Sequence, residues 1–150
     1  MSTIKDLPVN KGNATGTMEA TLTELLSGKQ YALQPYDFSR RPGANMIVFV
    51  GMDPEINAPG YFFALYFYFN NDEPASKEYI VGDADWRGSV YVKENFELES
   101  PAEAGSLTIE NYPDEQVIKG KINILYKEVF NAKFKIEGAF KIQRPLNQQH

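Results

Sequence analysis

Two segments near the C-terminus alternate so regularly that they dictate the class of fold. In VIKGKINILYK (117–127), Ile118, Gly120, Ile122, Ile124 and Tyr126 share one side, and Lys119, Lys121, Asn123, Leu125 and Lys127 the other. In AKFKIEGAFKI (132–142), Phe134, Ile136, Gly138, Phe140 and Ile142 oppose Lys133, Lys135, Glu137, Ala139 and Lys141. A period of two is that of a strand with one wet face; a helix would scatter both sets around its axis. EVFNA (128–132) is the expected connection. Placing Tyr126 opposite Phe134 sets Gly120 against Phe140 and Gly138 against Ile122, so each glycine meets a bulky partner. A slip of one residue would turn the lysines inward.

The rest of the chain reads the same way with weaker signals. TGTMEATLT alternates threonine and glutamate with Met18, Ala20 and Leu22. A rival helical reading exists, because Thr21 and Glu24 have capping-box spacing and Gly28 can end a short helix, but the threonine density favours strand followed by a turn at ELLSGK. QYALQPY reads as an edge strand, since Pro35 lacks an N–H for a central ladder. NMIVFVGM, YFFALYFYF, KEYIVG, GSVYVKENFEL and SLTIENY follow. Segments such as SRRPGA, DPEINAPG, NNDEPAS, GDADWRG and SPAEAG separate them as spacers rich in turn formers. The expectation is one all-β domain over 1–150, an antiparallel sandwich or flattened barrel of about eight or nine strands with little helix, its ends at 1–13 and 144–150 flexible.

MEATLTELLSGKQYAL at the start and GSLTIENYPDEQVIKGKINILYKEVFNAKFKIEGAFKI at the end resemble the first and last hairpins of small all-β bacterial domains of unassigned function, many of them envelope lipoproteins. The likeness consists of strand pattern plus Gly120 and Gly138, and it covers about a third of the chain. It implies an all-β fold and supplies no catalytic residue. The lipoprotein signal is missing from this sequence.

Composition narrows the function classes. The 150 residues contain no cysteine, and the one histidine is His150 at the terminus. Thiol and histidine relays, thiolate clusters and histidine zinc sites therefore lack their parts. No phosphate loop and no GxGxxG occurs. The net charge is −5, divided into −10 over residues 1–116 and +5 over 117–150. An acidic chain of this kind argues against nucleic-acid binding, and charge balance between neighbouring strands accounts for the division. The polar start, with no apolar run long enough for a membrane helix, points to a cytoplasmic protein without a membrane span. No cofactor is expected.

Three constellations remain as candidates. Asp83, Asp85, Gly88 and Glu94 stand at positions 1, 3, 6 and 12 of a calcium-loop pattern. Arg87 occupies the fifth position, however, and the flanks read as strands, so a hairpin turn is the simpler reading. The acid pairs Asp83–Asp85 and Glu97–Glu99 offer glycosidase-like carboxylates, at a spacing that any two such residues achieve. Arg40 and Arg41, beside Tyr36, Asp37 and Phe38, form either an anion clamp or a polar loop stacked on its own aromatics.

The strand at 61–69 is the most unusual segment. Tyr61, Phe63, Leu65, Phe67 and Phe69 form one face and Phe62, Ala64, Tyr66 and Tyr68 the other, with no charge between them. The first set is core. The second must be covered, tolerate exposure or line a cavity. The expected function is therefore a non-enzymatic β domain that self-associates or binds a protein partner through this second face. The alternative is a carbohydrate or small-ligand module using Phe62, Tyr66, Tyr68 and Trp86 for stacking and Asn70, Asn71 or Asp83 for polar contacts. A carboxylate-dependent hydrolase comes last.

Overall fold

The alternation at the C-terminus pairs in the expected register. In a computed structural model of the chain, Phe140 lies opposite Gly120 and Gly138 opposite Ile122. The structure describes residues 13–41, 45–54, 61–92, 98–128 and 131–144. The reason for the register is steric. A Cβ on Gly120 would fall among the ring carbons of Phe140, and one on Gly138 would meet the Glu19 carbonyl oxygen and Ala20.

Ten strands follow in order: β1 (Thr15–Glu24), β2 (Lys29–Leu33), β3 (Pro35–Arg41), β4 (Met46–Met52), β5 (Phe62–Phe69), β6 (Lys77–Ile80), β7 (Trp86–Val92), β8 (Leu98–Tyr112), β9 (Val117–Tyr126) and β10 (Phe134–Gln143). A 3-10 turn at Pro113–Glu115 is the one helical element among the described residues. The strands form one antiparallel sheet in the order β2-β1-β10-β9-β8-β7-β5-β4-β3, with β6 added to β8. β2 and β3 are separated only by Gln34, and the bridge Ala14–Phe38 ties the far edge back to the start of β1. The result is a flattened, nearly closed barrel with two walls. One wall holds β3, β4, β5 and β7; the other holds β2, β1, β10 and β9; β8 belongs to both.

Phe140 sits at the centre. Its ring lies 4.9 Å from Phe49 and 6.1 Å from Phe67, both on the opposite wall. The expected core residues Phe63, Leu65, Phe67, Ile122, Ile124, Phe134, Ile136 and Phe140 are all buried. The interior is thus filled with side chains, as in small barrels generally.

Several expectations are corrected. The first segment is strand followed by a turn, as its threonines indicate, and the rival helix does not form: Glu24 ends β1 and caps that turn, its Oε1 accepting the Ser27 N–H at 2.8 Å. SPAEAG is no spacer but part of the first half of the fifteen-residue β8, and Ser39–Arg41 and Trp86–Gly88 are likewise strand. Asn13 and Arg144, the inner limits of the two ends expected to be flexible, both make hydrogen bonds. The Asn13 Oδ1 accepts the Arg40 N–H at 2.8 Å, and the Arg144 N–H donates to the Gln116 carbonyl at 3.1 Å. Residues 1–12 and 145–150, His150 among them, lie outside the described residues. Among the described residues no helix is long and apolar enough to cross a membrane.

Candidate functional site

β8 serves two neighbours along one edge, and the site forms where it passes from one to the other. Its first residues pair with Ser89–Val92 of β7, and Ser106–Ile109 pair with β6. Between these stretches the register shifts at Ala102/Ala104, and Gly105 takes a φ of 106°. That φ suits glycine alone, and any Cβ there would strike the Asn123 carbonyl oxygen. Pro101 contributes as well, since it brings no N–H to the ladder. Trp86, Arg87 and Gly88 therefore pair with β5 on one side and have no β8 partner on the other.

The fork opens a groove of about 310 Å³. Tyr66 comes from β5, Val81, Gly82 and Asp83 from the turn after β6, Trp86 to Ser89 from β7, and Glu99, Pro101 and Ala102 from β8. Its polar groups are linked. The Ser89 hydroxyl donates to Glu99 Oε2 at 3.1 Å. Tyr66 stacks on Tyr91 with ring centroids 5.6 Å apart and planes 23° from parallel. Burial first, then hydrogen bonding to Tyr66 and Glu99, pushes the Tyr91 hydroxyl pKa upward, so Tyr91 stays a neutral phenol. Asp83 is held by its own turn, its Oδ2 accepting the Ile80 N–H at 3.2 Å.

The residues expected to act together divide. Tyr66, Trp86 and Asp83 line the groove, whereas Phe62, Tyr68 and Asn70 do not. Asn71 lies elsewhere, by a small cavity lined also by Arg40 and Arg41. Trp86 is not the open stacking platform expected of it. It is 4% exposed, its indole N–H donates to the Ile80 carbonyl at 2.8 Å, and its ring packs near Phe67 and Tyr79. Gly88 lies against it: a Cβ there would stand 3.2 Å from the indole. Phe62 and Tyr68 are half-buried on the outer side of β5, and the Arg87 guanidinium covers the Tyr68 ring at 4.8 Å. Asn70 is exposed just beyond the strand.

The acidic constellations fare differently. Asp85 Oδ2 is 2.6 Å from Lys77 Nζ, and that bond first, against a smaller effect of burial, lowers the Asp85 pKa. Glu94 and Glu97 lie outside the described residues, so neither the calcium loop nor the Glu97–Glu99 pair is complete there. Among the described residues, no three histidine or acidic side chains gather in a way that would hold a metal.

Sequence reasoning overlooked Ser89 and Tyr91. The signal for them was the pair Pro101 and Gly105 within an otherwise strand-like run, which marks where a strand bends away from its neighbour. The groove has carboxylates as acceptors, a serine hydroxyl, a phenol and aromatic walls, which is the equipment for a ligand with several hydroxyl groups and one apolar face. No protein-family model matches this chain, and no curated protein or solved structure matches it either.

Proposed function

We propose that the protein is a non-catalytic binding module whose groove takes a small polyhydroxylated ligand, a sugar residue being the chemical type that fits best. One observation carries the reading: Tyr66, Asp83, Trp86, Ser89 and Glu99, from three strands and a turn, line a single groove of about 310 Å³. That volume lies at the lower end of small-molecule sites, roughly 300–1,000 Å³. Glu99 supplies a charged acceptor, and Tyr66, already stacked on Tyr91, offers its ring without further ordering.

A panel of mono- and disaccharides titrated against the fluorescence of Trp86 tests it. Saturable change is expected for at least one sugar. Glu99→Gln should weaken that binding about tenfold, the size of one charge-assisted hydrogen bond. A flat response to every sugar at millimolar concentration ends the proposal.

A second reading is association with another protein through the outer side of β5. It draws support from half-buried Phe62, Tyr66 and Tyr68 and from exposed Met52 nearby in the pairing. It ranks second because Val48, Val50 and Ala64, at the centre of that side, are already buried. Light scattering of the wild type and of the double variant Tyr66→Ser, Tyr68→Ser separates the two. A dimer that the double variant loses would put this reading first.

A further inference from the structure

We infer that one end of the barrel, away from the groove, binds a small oxyanion through Arg40, Arg41 and Arg144. Arg40 and Arg41 end β3 and Arg144 follows β10; all three line one small cavity. Arg40 is 3% exposed. Its Nη2 donates to the Asp72 carbonyl at 3.3 Å and to Glu73 Oε1 at 3.5 Å, which leaves its Nη1 buried with no hydrogen-bond partner among the described residues. Arg144 reaches Glu73 Oε2 at 3.2 Å through Nη2, and its Nε is likewise buried without a partner among the described residues. The Arg41 Nε is a third such atom. Buried N–H groups without an acceptor are rare because each forfeits its hydration.

Glu73 has little capacity left to satisfy them. Its Oε1 already accepts from both Arg40 and Asn111, and its Oε2 from Arg144. Three guanidinium groups stand against the carboxylates of Asp72 and Glu73, so the cluster carries a surplus positive charge. Burial first, and then the charge of Arg144, lowers the Arg40 pKa, the direction expected where cations crowd a dry site. The cavity has about 10 Å³ of free space, room for one water-sized group. One oxygen of a phosphate or carboxylate fits there with the rest of the anion toward solvent. Guanidinium groups favour that partner above others.

The test is calorimetric titration of the full chain with inorganic phosphate and, separately, with acetate, at constant ionic strength. Saturable binding of either supports the site. Phosphate alone identifies a phosphoryl group as the ligand chemistry; binding of acetate as well extends it to carboxylates. Arg41→Gln should weaken binding about tenfold or more, as the loss of one charge-assisted bond does. Arg41 makes no side-chain hydrogen bond or ion pair among the described residues, so the thermal melt of that variant without anion should match the wild type. Absence of saturable heat with both anions overturns the inference and leaves the cavity to water. Unchanged affinity in Arg41→Gln overturns it as well.

Discussion

The outer faces of the two walls differ although their inner faces are built alike. On β9 and β10 the outward residues Lys119, Lys121, Asn123, Glu137, Ala139 and Lys141 are exposed. On β4 and β5 the outward residues Val48, Val50 and Ala64 are at most 1% exposed, with Met46, Phe62, Tyr66 and Tyr91 packed around them. The lesson lies in the pattern of each strand. Where period two is clean, one face meets water; where it fails, as in FFALYFYF, both faces are removed from it. The surplus of positive charge after residue 116 has the same origin. It is largely the wet face of β9 and β10, and its lysines lie beside acids: Lys119 pairs across from Glu110, and Lys133 lies 3.0 Å from Glu103.

The comparison can be broken most forcefully from inside. Phe140→Ala removes the ring that joins the walls and should cost about 3–5 kcal/mol in chemical unfolding. A loss below about 1 kcal/mol would mean that the walls do not meet through Phe140. The contrast between outer faces is sharpened by a matched pair. Val50→Ala should cost about 2 kcal/mol, from two methyl groups and the gap they leave. Lys121→Ala, on the other wall, should change stability by no more than about 0.5 kcal/mol. Equal losses for the two variants would erase the distinction between the faces.

The smallest effect is at the seam between the first and last strands. Burial raises the Glu24 pKa, but N–H groups of Lys133, Ser27 and Leu26 outweigh it and hold the carboxyl below its ordinary value of 4.5. The stability it contributes is complete above that unfolded value and is lost as the pH falls through the lower folded one. Acid titration of unfolding should therefore show a shallower slope below pH 4.5 in Glu24→Gln than in the wild type; identical slopes would remove Glu24 from the seam's energetics.

Much of the barrel was legible in the chain, and much of the groove was not. The register of β9 with β10 could be read because glycine and phenylalanine occupy complementary positions on a strictly alternating face. Glu24 also fits a rival reading as half of a helix cap, set aside because the threonines favour strand. The polar signal was real, but its acceptors serve a turn and the residue just before β10, information that no local window holds. SPAEAG has the composition of a loop, and only the pairing of β8 with β6, β7 and β9 makes it strand. The groove depends on that pairing, so Pro101 and Gly105 could mark the bend but not which side chains meet at it. Trp86 illustrates a further limit: composition marks a tryptophan as valuable contact area, and tertiary packing decides whether the contact is with a ligand or with Phe67 and Tyr79.

The pairing of β1 with β10 has a consequence for chain entropy. Apart from it, the sheet joins strands that are near neighbours in sequence, so their contacts close short loops. The Lys133 N–H bonded to Glu24 joins residues 109 apart. Closing so long a loop costs about 2–3 kcal/mol more than closing one of a few residues. The hairpins can thus arise from local search, but the barrel as a closed object exists only once the two ends of the chain have met.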